Sequence, residues 1–427
     1  MLQINYIFAD TNQAHITSTS MLRVLLIIAL SSIMSVSYAV SFNTAFKYRL
    51  QTITVNDGLS QHDISSITQD RYGFIWIATY DGLLRYDGYT FRKFRFNYED
   101  PASIRDNRIL SVFIDSKGRL WISTEGGGVN LYNYELESFE SFLLGTTPMD
   151  NNVYTIYEDD NENLWFGTNG GVYVLRFCDK SKSAETIRII SGLTEIDNVF
   201  SILTDYKKDV FLGTYEGLFQ MSYKGNNGSL EYHEPVPFPR FPEGMVYALK
   251  KLDSYNTFVG GEAGLFIFNH TTRQFKEITF ENRPLLFVRS INKINENTYA
   301  IGTEKSGIFE LTVRQTEFIL SRILIDKVNY LEKSLIKTLF IDNNQNMWIG
   351  TGNNGVGRIN LHAPRFYRLF NTNDDTGNFV RYFWKDKKER LWIQIKNEDF
   401  VCYDKDSKRS LIPSSNRMIK SISEDKK

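Results

Sequence analysis

Short runs of alternating apolar and polar residues, separated by turn residues, recur along most of this chain. In the first unit the runs are residues 63–69, the residues around Trp76, residues 83–86 and residues 91–96. The segments between them are rich in Gly, Asp and Asn, which favour turns. Alternation with a period of two is typical of β-strands, and no window shows the 3.6-residue apolar rhythm of a helix. The pattern predicts four strands per unit and no helix between units.

The second strand of the unit recurs along the chain with an aromatic residue at a fixed place. These aromatic anchors are Trp76, Trp121, Trp165, Phe211, Phe258, Tyr299, Trp348 and Trp392. Successive anchors lie 45, 44, 46, 47, 41, 49 and 44 residues apart. Four strands in a repeat of this length are typical of a β-propeller blade. We predict an all-β fold and a structural role for the anchors, which would fill the space between blades.

A strand predicted at residues 49–55 has the character of a fourth strand, yet no blade precedes it. Seven complete repeats follow, to about residue 361. We expect the early strand to complete the blade of Trp348, so that the ring has no open edge. These features predict a seven-bladed β-propeller of four-stranded antiparallel blades over residues 40–362. A single ring of eight blades is the alternative, and a further strand of the same character at residues 365–370 argues against it.

The sequences at the two ends of the chain indicate a signal peptide and the start of a second propeller. A short basic start at Met21 leads into an apolar run and then Ser37 and Ala39, small residues that suit cleavage, as in a secretory signal peptide. We expect residues 1–39 to be this signal with a possible upstream extension, and export to the periplasm; an uncleaved membrane anchor is the alternative. Residues 363–427 are expected to hold the first blade and part of the second blade of a second, truncated propeller.

Composition narrows the classes of function. A net charge of −1 offers no basic field for nucleic acid. The two cysteines, Cys178 and Cys402, lie in different repeats, so neither a disulfide framework nor a paired-cysteine metal site is expected. The five histidines show no ligand spacing, and we predict no metal and no cofactor.

Two motifs could suggest chemistry but have a simpler interpretation. Residues 350–355 match a GxGxxG fingerprint, yet a strand rather than a helix is predicted after them, so we interpret the motif as a turn. Acidic residues such as Glu125, Asp159, Asp160 and Glu262 occupy turns, and we expect them to be solvated turn formers. No catalytic residue is assigned.

The repeats resemble a known family, the two-component regulator propeller repeats. The resemblance rests on the recurring Asn/Gly-x-Leu-Trp-Ile-Gly-Thr-x-x-Gly-Leu pattern, on residues 57–60 with Asp70, and on residues 87–91 and 100–104. It implies the periplasmic sensor region of a hybrid two-component histidine kinase, which can act as a homodimer. The kinase activity of intact members would reside in a region absent here, and contact with a membrane would come through that missing downstream segment or an uncleaved signal anchor.

The expected ligand surface is the face that carries the turns between second and third strands and the connections between blades. These segments vary more than those of the opposite face, and variable loops on a rigid scaffold commonly bind ligands. The candidate ligand-binding residues are Tyr80, Arg105, Arg108, Glu125, Asn169, Tyr215, Glu262, Lys305 and Asn353. An anionic sugar would favour Arg105, Arg108 and Lys305.

The function predicted is a non-catalytic sensor that binds oligosaccharides released from polysaccharides and controls the genes for their use. Two alternatives remain open: a secreted propeller lyase or glycosidase, and a protein-interaction scaffold.

Overall fold

The structure is a computed structural model of the 427-residue chain. It describes residues 48–177, 184–188, 198–205, 209–226, 229–232, 236–238, 241–315, 317–325, 330–362, 380–386, 390–395, 400–403 and 409–412. The predicted signal sequence, Cys178 and the start of the predicted second propeller at residues 363–379 lie outside these ranges. The chain divides into two compact units, residues 1–364 and 365–427.

Strand β1 (Leu50–Ile53) precedes the first complete blade. Blade 1 comprises β2 (Ile64–Gln69), β3 (Ile75–Thr79), β4 (Gly82–Tyr86) and β5 (Phe91–Phe94). Blade 2 comprises β6 (Ile109–Ile114), β7 (Leu120–Thr124), β8 (Val129–Asn133) and β9 (Ser138–Phe142). Blade 3 comprises β10 (Val153–Glu158), β11 (Leu164–Thr168), β12 (Gly171–Phe177) and β13 (Ala184–Arg188).

Blades 4 and 5 each carry a short fifth strand. Blade 4 comprises β14 (Val199–Thr204), β15 (Asp209–Thr214), β16 (Gly217–Asn226), β17 (Ser229–Tyr232) and β18 (Val236–Pro237). Blade 5 comprises β19 (Val246–Lys251), β20 (Asn256–Gly261), β21 (Leu265–Asn269), β22 (Gln274–Phe280) and β23 (Arg283–Pro284).

The remaining strands form blades 6 and 7 and the sheet of the second unit. Blade 6 comprises β24 (Val288–Asn295), β25 (Thr298–Thr303), β26 (Ile308–Arg314) and β27 (Glu317–Arg322), and blade 7 contains β28 (Ile336–Ile341), β29 (Asn346–Thr351) and β30 (Val356–Asn360). The second unit contains β31 (Val380–Lys385), β32 (Leu391–Ile395), β33 (Phe400–Tyr403) and β34 (Arg409–Ile412), which form a four-stranded antiparallel sheet in sequence order.

The predicted closure of the propeller by the N-terminal strand is confirmed. Blade 7 has the order β1-β30-β29-β28, and β1 pairs antiparallel with β30 from Leu50 opposite Ile359 to Ile53 opposite Val356. The first strands of successive blades contact one another in turn, and β28 contacts β2. The first unit is therefore a closed ring of seven blades around a central channel lined by the first strands, as the sequence predicted.

The aromatic anchors of the seven blades lie in the apolar layers between blades. Trp121 packs against Val153 and Phe166 of blade 3, and Trp348 packs against Ile64 of blade 1. All seven anchors from Trp76 to Trp348 are at most 2% exposed. The core of the unit is thus a set of layers between blades rather than one central cluster.

The structure corrects one element prediction. A one-turn helix, α1 (Tyr330–Lys333), connects blades 6 and 7, and a 3₁₀ turn follows β1 at Val55–Asp57. Both are too short to produce a helical apolar rhythm in the sequence, so periodicity could not reveal them. None of the helices in the described ranges has the length and apolar character needed to span a membrane.

The GxGxxG segment is a turn, as predicted. Gly355 has a φ of +74°, a conformation that suits glycine, and β30 begins at the next residue. A phosphate-binding fingerprint would require a helix at this place.

Candidate functional site: the mouth of the central channel

The first strand of every blade in the ring carries a β-bulge at its second residue. In blade 1, Ile64 pairs with Thr79 and the next paired residue is Ser66, so Ser65 has no partner of its own in the ladder. The same irregularity occurs in the other six blades. The bulged residues, here called the bulge ring, are Ser65, Leu110, Tyr154, Phe200, Tyr247, Arg289 and Lys337. A bulge re-aims its side chain, and bulges are frequent beside functional sites.

The bulge ring lies at one end of the central channel. The bulge of blade 1 is next to the pair Ile64–Thr79, and Thr79 begins the turn into β4. The ring is therefore on the face that carries the turns between second and third strands, where the sequence predicted the ligand surface. All seven residues are partly exposed. We call this end of the channel the mouth.

Three consecutive members of the ring form an aromatic arc across blades 3, 4 and 5. The ring centroids of Tyr154 and Phe200 lie 5.3 Å apart, and those of Phe200 and Tyr247 lie 5.6 Å apart. These separations are typical of interacting aromatic side chains. The arc gives the mouth a continuous, partly exposed apolar wall.

The next two members of the ring form a charged arc in blades 6 and 7. The guanidinium of Arg289 lies 3.7 Å from the ring centroid of Tyr247, which joins the two arcs. Arg289 Nη2 lies 2.6 Å from Glu304 Oε2, and Lys337 Nζ lies 2.6 Å from Asp63 Oδ1. Each cation of the ring thus has a carboxylate beside it.

Burial raises the pKa of both phenols of the aromatic arc further above neutral pH. It raises the pKa of Tyr247 to about 12, since the opposing effect of the nearby Arg289 charge is smaller. Burial also raises the pKa of Tyr154, and the Glu125 charge adds to the rise while a hydrogen bond with Asn152 opposes it. At neutral pH both hydroxyls are therefore uncharged hydrogen-bonding groups.

Two of the predicted ligand-binding residues contact the bulge ring directly. Tyr80 lies in the turn between β3 and β4, and Lys337 Nζ is 5.0 Å from its ring centroid. Glu262 lies in the turn between β20 and β21, and its Oε1 accepts a hydrogen bond of 3.3 Å from the hydroxyl of Tyr247.

Three more of the predicted ligand-binding residues are linked to the bulge ring through intervening residues, the last of which contacts the ring. Arg108 Nη1 is 2.9 Å from Glu125 Oε1, and Glu125 pairs through its backbone with Asn152, whose side-chain amide donates to the Tyr154 hydroxyl at 3.4 Å. Lys305 Nζ is 3.8 Å from Glu304 Oε1, whose other oxygen pairs with Arg289. The structure therefore brings Tyr80, Arg108, Glu125, Glu262 and Lys305 towards one mouth.

The other four predicted residues lie on the same face in local hydrogen bonds or exposed turns. The backbone N–H of Arg105 donates to Asn130 Oδ1 at 3.1 Å. The backbone N–H of Asn169 donates to a neighbouring backbone carbonyl at 3.1 Å, and Tyr215 is 49% exposed. Asn353 Oδ1 accepts a hydrogen bond from the adjacent asparagine. In the part of the chain that the structure describes, no hydrogen bond, ion pair or ring contact joins these four to the bulge ring, so whether they bind a ligand stays a prediction.

Sequence reasoning missed the bulge ring itself. A signal was present, because every blade has Ile or Val at the first position of its first strand and a different type of residue directly after it: Ser65, Leu110, Tyr154, Phe200, Tyr247, Arg289 and Lys337. When one position is always Ile or Val and the next varies between repeats, the first indicates a buried position and the second an exposed one. The bulge that turns these side chains towards the mouth could not be read from the alternation.

The prediction that turn acids are solvated was wrong for Asp159. This residue is 5% exposed, and its Oδ2 accepts a hydrogen bond of 2.9 Å from Trp165 Nε1. Its Oδ1 accepts from the backbone N–H groups of Asn161 and Asn163 at 2.9 Å each. Asp160 is exposed, as expected for a turn former. Within the described ranges, no group of three or more His, Cys, Asp or Glu side chains is placed to hold a metal ion.

Comparisons with known proteins agree with the repeats and the fold. The family model described as "Two component regulator propeller" matches residues 58–81, 103–126 and 147–170. Over 62 residues, the chain is 44% identical to a protein of Formosa agariphila called histidine kinase P4. The matching segment covers 14% of this chain and 4% of that relative.

Solved structures show the same architecture. The extracellular domain of a putative hybrid two component system from B. thetaiotaomicron superposes with a TM-score of 0.65 at 26% identity, covering 86% of this chain and 49% of that chain. A catalytically inactive virginiamycin B lyase from Staphylococcus aureus, solved with quinupristin, shares the fold alone, with a TM-score of 0.52 at 13% identity over 74% of this chain and 99% of that chain. This chain spans about half the length of the first of these structures and a small part of the curated relative. Three of its repeating units, at residues 58–81, 103–126 and 147–170, match two-component regulator propeller repeats.

Proposed function

We propose that this chain is the non-catalytic sensor part of a hybrid two-component system and that it binds an oligosaccharide at the mouth. The histidine kinase would be supplied by a part of the protein outside this chain. The observation that carries the proposal is the bulge ring, in which a partly exposed aromatic arc adjoins paired charges at one end of a rigid ring. Aromatic walls with a few fixed polar groups are typical of small-molecule sites.

Sugars suit this combination of groups. A pyranose ring presents apolar C–H faces to an aromatic side chain, and its hydroxyls both donate and accept hydrogen bonds. The mouth offers donors on Arg289 and Lys337, acceptors on Glu304 and Asp63, and the hydroxyl of Tyr247. Groups held by a closed ring lose little freedom when a ligand binds, which favours affinity.

The proposed location is the periplasm. The predicted signal peptide supports export, and the related solved structure is an extracellular domain. In the intact protein, the occupied propeller would pass its state to a kinase on the other side of the membrane and so control genes for glycan use.

The test is thermal denaturation of the purified chain with a panel of oligosaccharides from plant, algal and host polysaccharides. A ligand that binds only the folded state adds about 2.7 kcal/mol of stability at a hundred times its dissociation constant. We expect one glycan class to raise the melting temperature by several degrees and Phe200→Ala to abolish the rise. Tyr89→Ala is the control, since Tyr89 is 92% exposed in the turn between β4 and β5, on the opposite face.

Two outcomes would contradict the proposal. One is a melting temperature that no glycan in the panel changes. The other is release of product from a polysaccharide by the purified chain, which would identify an enzyme instead of a sensor.

A further inference from the structure

The charges at the mouth are arranged in pairs, and this arrangement bears on the class of glycan. Four cationic side chains lie in the bulge ring or beside it, and each has a carboxylate within 4 Å. The pairs are Arg289 with Glu304 at 2.6 Å, Lys337 with Asp63 at 2.6 Å, Arg108 with Glu125 at 2.9 Å, and Lys305 with Glu304 at 3.8 Å. These partners bear on the expectation that an anionic sugar would favour Arg105, Arg108 and Lys305, because Arg108 and Lys305 each lie beside a carboxylate.

Paired charges disfavour an acidic ligand. A carboxylate or sulfate that approached Arg289 would also approach Glu304, and it would have to displace that acid or be repelled by it. The same holds for Lys337 and Asp63. Arg289 also makes a cation–π contact, because its guanidinium lies over the face of Tyr247. A carboxylate therefore offsets the charge of Arg289 and that of Lys337, the two cations of the bulge ring, before any anion arrives; Glu304 is shared by Arg289 and the exposed Lys305.

Paired charges suit hydroxyl groups instead. An arginine beside a carboxylate presents N–H donors and carboxylate acceptors a short distance apart, and neighbouring sugar hydroxyls can use both. The ion pair fixes the positions of these groups before the ligand arrives, so little ordering is needed on binding. Glu262 and the Tyr247 hydroxyl, joined at 3.3 Å, add another acceptor and donor next to the aromatic arc.

We propose, on the basis of the proposed function above, that the mouth selects neutral oligosaccharides over uronic-acid or sulfated ones. One sugar ring would stack on the aromatic arc at Phe200, and the hydroxyls of the adjoining residue would bridge the pairs Arg289–Glu304 and Lys337–Asp63. The acids at the mouth have an electrostatic role in specificity under this proposal, since they exclude charged glycans.

The experiment compares neutral and acidic probes of the same backbone. Calorimetric titration of the full chain uses neutral oligosaccharides of glucose, galactose, mannose and xylose, uronic-acid oligosaccharides and their methyl esters, and sulfated oligosaccharides with their desulfated forms. We expect binding within the neutral set, with an affinity that changes little between low and high salt, because screening acts on charged ligands. Phe200→Ala should weaken this binding about tenfold or more, whereas Tyr89→Ala should leave it unchanged.

A charge variant makes the selectivity testable in its own right. Glu304→Gln removes the acid from Arg289 while keeping its shape, so the methyl-ester and acid forms of one probe should become closer in affinity. The proposal requires the acid form to gain relative to the ester in this variant. The parallel change Glu216→Gln, at an exposed turn position in blade 4 that lies outside the pairs, should leave the ratio unchanged.

The outcomes separate this inference from the proposed function. If an acidic probe binds more tightly than its neutral form and Phe200→Ala removes that binding, the neutral class is wrong and the sensor function stands. If Glu304→Gln leaves the acid-to-ester ratio as it was, the pairing does not set specificity. If no oligosaccharide binds, both proposals fall together.

Discussion

At the scale of single residues, a buried carboxylate explains why several anchors are tryptophan. The acid lies six residues before the tryptophan, in the turn between the first and second strands, and accepts the indole N–H at 2.7–3.0 Å. The five carboxylates are those of Asp70, Asp115, Asp159, Asp342 and Asp386. In the second unit, burial opposes ionisation of Asp386, but hydrogen bonds from Trp392 and Arg390 outweigh it and lower the pKa to about 2. The carboxylate thus accepts hydrogen bonds within the turn and at the same time fixes the orientation of the tryptophan.

Replacing Asp342 by alanine should destabilise the propeller strongly. Its carboxylate accepts hydrogen bonds from Trp348 Nε1 at 2.9 Å and from the backbone N–H groups of Asn344 and Asn346 at 2.9 and 2.8 Å. Leaving buried donors without an acceptor costs about 1–3 kcal/mol each, so we expect a loss of about 3 kcal/mol in the free energy of unfolding. Denaturant unfolding followed by tryptophan fluorescence measures it.

Two further variants make the Asp342 result specific. Asp342→Asn keeps one acceptor oxygen and should cost clearly less than alanine. Asp160→Ala, at an exposed turn position, should change stability by less than about 0.5 kcal/mol. Equal effects of Asp342→Ala and Asp160→Ala would show that the buried hydrogen bonds contribute nothing.

At the scale of elements, a small residue in the second strand lets the next blade approach. In blades 3 to 7 this residue is glycine, paired with the residue after the bulge. A Cβ built on Gly213 would lie 2.7 Å from the backbone oxygen of Val246, at the start of blade 5, and would also meet Ser201 Oγ. Blades 1 and 2 have Ala78 and Ser123 at this position. The glycine is thus a spacing device between neighbouring blades.

Gly213→Ala should therefore force blades 4 and 5 apart. Overpacking of this kind costs about 1–3 kcal/mol, because the nearest atoms include backbone that cannot rotate away. The control is Gly352→Ala, where the nearest atom is the end of the flexible Leu335 side chain at 3.2 Å. Chemical denaturation of both variants tests the difference, and a larger loss for Gly352→Ala would contradict this account of blade spacing.

The elements also show which parts of the structure the sequence could predict. The blades and their anchors were predictable because the aliphatic alternation and the aromatic spacing are direct consequences of burial between blades. The face that carries the turns between second and third strands was predictable because the antiparallel order of the strands fixes which loops share an end of the ring. The bulge ring was not, since Tyr154 and Phe200 read as ordinary strand positions until the pairing register is known. The ion pair between Arg289 and Glu304 was not predictable either, because it depends on the register between β24 and β25, which places Val288 opposite Thr303.

At the scale of the whole molecule, the ring is closed by a strand far away in sequence. Ile53 of β1 is 4% exposed and packs with Leu59, Ile64 and Trp348, so β1 contributes apolar burial as well as backbone pairing. Tyr48 continues this attachment, since its backbone N–H donates to the carbonyl of Leu324 beside blade 6 at 3.3 Å. The site at the mouth depends on this closure, because the charged arc and blade 1 meet where blade 7 meets blade 1.

Removing β1 should open the ring, and a pair of chains tests this. A chain beginning at Tyr48 keeps β1, whereas a chain beginning at Asn56 loses it and exposes the edge of β30 from Val356 to Ile359. Loss of the buried Ile53 side chain alone costs about 1.5–3 kcal/mol, and the unpaired backbone groups add to it. We expect the shorter chain to unfold at lower denaturant and to self-associate through the free edge strand, as measured by size-exclusion chromatography with light scattering.

A synthetic peptide of residues 48–55 should restore the monomer by occupying the edge, and the same peptide with Ile53→Asp should not. If the shorter chain stays monomeric and equally stable, the ring does not depend on its N-terminal strand, and the mouth would have to be held together by contacts within blades 1 and 7 alone.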